Sequence, residues 1–125
     1  MKPAVLIVDD DPSVVRMLEM GLAEDYEIVP VFEPTQTINV FSETAIDVVV
    51  SDIKMPGLDG YQVCSRIRKE LANKEVKILT ISGVLNDEAV RKVMKLGADD
   101  HLAKPFDNQV LKAKIEKLLV NQKGF

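Results

Sequence analysis

In this 125-residue chain, a handful of chemically capable side chains stand directly behind apolar runs. Asp9 and Asp10 follow AVLIV, Asp52 follows IDVVVS, Ser82 closes EVKILTIS, and Lys104 closes DDHLAK just before Pro105. Three carboxylates brought together repel, and at least one of them then holds its proton more tightly. A hard divalent cation, Mg²⁺ or Mn²⁺, relieves that repulsion, because it takes about six oxygen ligands and keeps several as water. Asp10, Asp52 and a backbone carbonyl from the loop after Asp52 would supply half of such a shell, leaving the rest for water or a phosphoryl oxygen. Lys104 adds a second positive charge and Ser82 a hydroxyl donor. That set suits a phosphoryl group whose equatorial oxygens gain negative charge.

Strand-like and helix-like segments alternate along the chain in a way that can bring these residues together. AVLIVDD (4–10) is apolar on both faces, as a buried parallel strand is. Asp11 is placed as an N-cap with Pro12 at the first helical position, and helix one runs to about residue 24 with Val15, Leu18 and Leu22 inward. YEIVPVF (26–32) is a second strand whose Pro30 cannot donate to a ladder, so it belongs at a sheet edge. Helix two is expected over 35–42, with Ile38 and Phe41 as core contacts. AIDVVVSD (45–52) is strand three. Helix three is expected over 60–71, burying Val63, Cys64, Ile67 and Leu71. EVKILTIS (75–82) is strand four. Helix four opens near Asn86 or Asp87, buries Val90, Val93 and Met94, and stops at Gly97. The polar DDHLAK (99–104) makes strand five the other edge, and helix five follows Asp107 with Leu111, Ile115 and Leu118 inward. Five βα units imply a parallel sheet with helices on both faces. Right-handed crossovers then give a flavodoxin-like, doubly wound α/β fold with strand order 2-1-3-4-5 and five helices. Sites in such sheets form beyond the carboxyl ends of the strands, near the switch between strands one and three.

Composition narrows the class further. One hydrophobic core suits this length, giving a single domain over 1–125. The net charge of -4 and the absence of a basic stripe argue against a nucleic-acid surface. Cys64 is the only cysteine, so no internal disulfide forms and a reducing compartment is expected. AVLIV runs straight into aspartates and is too short for a secretion signal. No apolar run nears the roughly 18 residues of a membrane helix. These features point to the cytoplasm.

Four motifs carry a family resemblance. VDDDPS, SDIKMPGLDG, the ISG at 81–83 and the LAKPF at 102–106 stand in order, and with them the whole chain resembles the receiver domain of two-component response regulators. The resemblance implies that Asp52 is the phosphate-accepting nucleophile and that Asp10 ligates Mg²⁺, with Asp9 supporting through water. The backbone carbonyl of Lys54 would complete the metal site. Ser82 takes the hydroxyl switch position, and Lys104 binds phosphate ahead of Pro105, usually through a cis peptide. His101 stands where the family often has a mobile aromatic ring. Such a domain catalyses only its own phosphorylation and dephosphorylation. Its partner is a sensor histidine kinase or phosphotransfer protein. Its output is a change in the surface of helix four, strand five and helix five, which also serves homodimers. An effector domain would be absent from this chain or cut away.

Other residues have plainer readings. Asp11 is explained by helix capping, Thr80 and Cys64 by core packing, and Met55, Pro56 and Gly57 by turn chemistry. His101 has no second histidine with which to share a metal. One competing enzyme class fits VDDDPS: a haloacid-dehalogenase-type phosphatase with Asp9 as nucleophile, Asp11 as acid/base and Asp99 and Asp100 as the later acidic pair. The chain is short for that class, lacks a cap domain, and SDIKMPGLDG is left without a role. A flavin-binding module would want stacking aromatics, but there is no Trp and only Tyr26 and Tyr61 as tyrosines.

Overall fold

The computed structural model describes residues 2–53, 59–71, 75–83 and 87–122. Its core is a parallel sheet of β1 (Ala4–Val8), β2 (Glu27–Val31), β3 (Val48–Asp52), β4 (Lys77–Ser82) and β5 (Asp100–Ala103). The strand order is β2-β1-β3-β4-β5, as the two polar or proline-bearing segments required. Pro30 lies on the β2 edge, opposite Ile7 of β1, where its missing donor breaks no inner ladder. The strands carry α1 (Pro12–Leu22), α2 (Thr37–Glu43), α3 (Gly60–Ser65), α4 (Asp87–Lys95) and α5 (Asn108–Gln122).

Two apolar layers follow from strand alternation. Val5 and Ile7 of β1, Val48 and Val50 of β3, and Leu79 and Ile81 of β4 face Val15, Leu18 and Leu22 of α1 and Leu111, Ile115 and Leu118 of α5. The intervening Leu6, Val8, Val49 and Ile78 face Val63 and Cys64 of α3, Ile67 beyond it, and Val93 of α4. Every residue of β1 is buried, which is why that strand reads as an unbroken apolar run.

Several boundaries differ from those the sequence suggested. Each strand is shorter than the segment expected for it: β1 ends at Val8, so Asp9 and Asp10 stand just beyond it, and β5 ends at Ala103, one residue before Lys104. Helix two begins at Thr37, after a 3₁₀ turn over Pro34–Gln36, and Gln36 gives it no side-chain cap. Phe41 packs on the core there, together with Val40. Helix three is regular only to Ser65 and widens into π turns over Arg66–Glu70, leaving Leu71 half-buried. In α4 only Val93 is fully buried; Val90 is half-buried and Met94 is 41% exposed.

The wide turns of helix three have a purpose visible in the bonding. Arg68 donates from Nε to the Gly97 carbonyl at 3.0 Å, from Nη1 to the Val76 carbonyl at 2.6 Å and from Nη2 to Asp99 Oδ2 at 2.8 Å. Asp99 Oδ2 also accepts the Ile78 N–H at 2.8 Å. One guanidinium thus ties the end of the α3 segment to the starts of β4 and β5 and to the turn after α4. Gly97 has φ +111°, and a Cβ there would lie 2.5 Å from Arg68 Cγ, so both backbone angle and space require glycine. Among the described residues, no helix is long and apolar enough to cross a membrane.

Candidate functional site

Sheet register delivers the chemical side chains to one rim. Val8 pairs with Ser51, so Asp9 flanks Asp52; Ser82 pairs with Ala103, so Lys104 follows directly beside it. Main-chain bonds continue past the strand ends and hold those positions: Asp9 N–H to Val31 O at 3.1 Å, Ile53 N–H to Ile81 O at 3.0 Å and Lys104 N–H to Ser82 O at 2.8 Å. Carboxylate oxygens of Asp9, Asp10 and Asp52 lie within 4.8 Å of one another. Lys104 Nζ donates to Asp52 Oδ2 at 3.1 Å, with the Asp52 side chain only 11% exposed. Ser82 closes the same rim and is 4% exposed. The Lys104–Pro105 peptide is cis.

Electrostatics show the strain in this cluster. Burial pushes the Asp9 carboxyl up to about 6; the Asp11 N–H it accepts opposes that shift, and the neighbouring charge of Asp52 adds to it. Asp9 Oδ1 accepts that N–H at 3.0 Å, which fixes the carboxylate's orientation. An all-oxygen donor set, partly buried and mutually repelling, fits a hard divalent cation and does not fit a soft one. The Lys54 carbonyl and the turn residues Met55, Pro56 and Gly57 lie outside the described residues.

The plain readings of other residues have their own geometry. Asp11 Oδ1 accepts from the Ser13 N–H at 2.9 Å and hydroxyl at 2.7 Å, which caps α1 and commits it away from acid/base work. Asp99 is held by Arg68, and Asp100 by Lys114 at 3.1 Å. Both sit at the start of β5, the end of the sheet opposite the carboxylate rim, so the acidic pair that a dehalogenase site would need is absent from it. Cys64 is fully buried and its thiol is pushed up to about 12 by burial. Native protein should therefore resist a thiol-alkylating reagent at pH 8 and react with it only in denaturant; fast labelling of folded protein would show the α3 packing to be wrong.

Sequence reasoning missed two supports of the site. Gly60 opens α3 against the acceptor strand: a Cβ there would lie 2.5 Å from the Asp52 carbonyl oxygen, and Gly60 N–H donates to Ile53 O at 2.8 Å. Asp59 and Gln62 form a capping box just ahead of it. The pattern D-x-x-Q at 59–62 carried that signal. The second is Thr80, fully buried on β4, whose Oγ1 lies 3.2 Å from His101 Nδ1. His101 is half-buried against it rather than turned out to solvent.

Known proteins share this arrangement. The family profile described as response regulator receiver domain matches residues 5–116. This chain belongs to that family. Over 119 residues it is 40% identical to a probable transcriptional regulator, ycf27, of Guillardia theta, covering 94% of this chain and 46% of that protein. This receiver domain thus spans about half the length of the curated regulators it matches. A response-regulator structure from Chloroflexus aurantiacus superposes with a TM-score of 0.89 at 31% identity, covering 96% of this chain and 99% of that one. The BeF3-activated DrrB receiver domain does so at 0.86 and 28%, covering 95% and 98%. Receiver domains are the signalling modules of two-component response regulators.

Proposed function

We propose that this receiver domain accepts a phosphoryl group on Asp52 from a phosphohistidine of a sensor kinase or phosphotransfer protein. The observation that carries the reading is the 3.1 Å bond from Lys104 Nζ to Asp52 Oδ2 inside a cluster of three carboxylates. A carboxylate oxygen of Asp52 attacks phosphorus in line; the new O–P bond forms as the N–P bond to the donor imidazole breaks. Lys104 follows the developing charge, exchanging its carboxylate contact for a phosphoryl oxygen. Asp10 and Asp52, with Asp9 through water and the Lys54 carbonyl, would hold Mg²⁺ or Mn²⁺. When bound, that ion supplies charge neutralisation at the phosphoryl oxygens. Ser82 donates to a phosphoryl oxygen and so couples the site to β4.

The output surface in this reading is α4, β5 and α5, with Ser82 and His101 as its connection to Asp52. Support comes from the apolar side chains left outward there, Met94 at 41% and Val110 at 45% exposure, beside the Asp100–Lys114 ion pair that bridges β5 and α5. Such a face suits a homodimer or an effector domain. The activation of DrrB by BeF3 is a property of that relative and gives the reading a parallel.

Incubation with a small acyl phosphate and Mg²⁺ tests the assignment. Wild type should incorporate label and Asp52→Asn should take up none. Asp10→Ala should lose the metal dependence, seen as a flat metal titration. Label that persists in Asp52→Asn and vanishes in Asp9→Asn would instead support dehalogenase-type chemistry.

A further inference from the structure

His101 is the chain's only histidine, and its two ring nitrogens have opposite surroundings. Nδ1 faces the Thr80 hydroxyl at 3.2 Å, and that hydroxyl lies 3.5 Å from the Asp100 carbonyl. Nε2 is buried and has no hydrogen-bond partner among the described residues. One tautomer satisfies this geometry at least cost. The Nδ1–H donates to Thr80 Oγ1, Thr80 turns its own proton toward the Asp100 carbonyl, and Nε2 keeps a bare lone pair. This arrangement pairs both the Nδ1–H and the Thr80 hydroxyl, whereas the other tautomer leaves a buried N–H unpaired and spends the hydroxyl on Nδ1; a buried cation would cost far more than either.

The charges that reach the ring are Asp100 on its own strand and Lys114 on α5. They are paired with each other at 3.1 Å, and Asp100, which favours the charged ring, and Lys114, which opposes it, leave burial as the larger effect. Thr80 on β4 offers only a hydroxyl. Burial accordingly holds the imidazole below its ordinary value of 6.5.

We propose that His101 is a proton-operated latch: the neutral ring is held inward on Thr80, and protonation at Nε2 expels it toward solvent, remodelling the β5–α5 face. The proton adds to the Nε2 lone pair, and no other bond forms or breaks covalently. On leaving, the ring releases Thr80 and meets the Asp100 carboxylate, whose Oδ1 already accepts the His101 N–H at 2.7 Å and whose Oδ2 accepts from Lys114. The hollow of about 410 Å³ lined by Asp100, Val110, Ala113 and Lys114 is the surface that changes. Its signalling consequence rests on the output surface proposed above; the latch itself does not. The sign is set by the lowered pKa. Latch closure is complete above the ordinary histidine value and is lost as pH falls through the ring's own lower value.

Nitrogen-15 spectra of the single imidazole in the unphosphorylated chain test this between pH 8 and 5. The expected result is the Nδ1–H tautomer at pH 8, titration below 6.5, and backbone amide shifts at Asp100, Val110 and Lys114 that follow the same curve. Thr80→Val should lose the tautomer preference and Thr80→Ser should keep it, while His101→Phe should abolish the amide titration. A dominant Nε2–H tautomer, titration at or above 6.5, or amide shifts that persist in His101→Phe would each overturn the latch. None of these outcomes depends on whether Asp52 takes phosphate.

Discussion

Arg68→Ala will cost the fold about 2–4 kcal/mol, close to the loss expected when one member of a largely buried ion pair is removed. The Arg68 side chain is 15% exposed and that of Asp99 27%, so solvent can rescue part of the loss. Removing it strips donors from the Val76 and Gly97 carbonyls and leaves Asp99 with the Ile78 N–H and a distant Lys77 at 4.0 Å. Lysine will not restore it, because a compact ammonium lacks the planar, spread fork of donors with which the guanidinium reaches three separate acceptors. The check is urea denaturation of wild type, Arg68→Ala and Arg68→Lys. Equal midpoints would mean that the π-turn segment is not anchored as described.

Asp9→Asn will do the reverse in metal-free buffer, stabilising the chain at pH 7 by about 1–3 kcal/mol. Asp9 is only 3% exposed, and burial pushes its carboxyl up to about 6, against 3.8 in an unfolded chain. Because the folded state holds this proton more tightly, its contribution to stability is fully present below pH 3.8 and lost as pH rises through about 6. Asparagine has no charge to lose and keeps an oxygen for the Asp11 N–H. The same substitution should weaken stabilisation by Mg²⁺, since it removes one of three carboxylates. Thermal melts across pH 4 to 8, with and without Mg²⁺, read both effects. An Asp9→Asn melt with unchanged pH dependence would show that another group carries the repulsion.

How much of this was legible beforehand depended on the kind of interaction. The sheet order could be read because β1, β3 and β4 are buried on both faces, whereas β2 holds Pro30 and β5 is polar. The rim could be read because a carboxylate ending an apolar run is unusual, and the ends of four strands, β1, β3, β4 and β5, carried a polar residue. Arg68 could not, since on a helix it resembles any solvated cation; its acceptors lie on three other segments. Met94 and Val93 are adjacent apolar residues, and periodicity alone does not say which of them faces the core. Thr80 and His101 meet only because they are register partners on β4 and β5, a pairing that needs the strand alignment and not just the strand order.

Borohydride trapping of the phosphorylated chain measures the central claim directly. An acyl phosphate is reduced to the alcohol, so the acceptor aspartate becomes homoserine and can be located by peptide sequencing. With an acyl phosphodonor and Mg²⁺, homoserine should occur at position 52 alone, and Lys104→Ala should sharply reduce its yield. Homoserine at position 9 or 10, or none at position 52, would contradict the reading of this rim as a phosphoryl acceptor centred on Asp52.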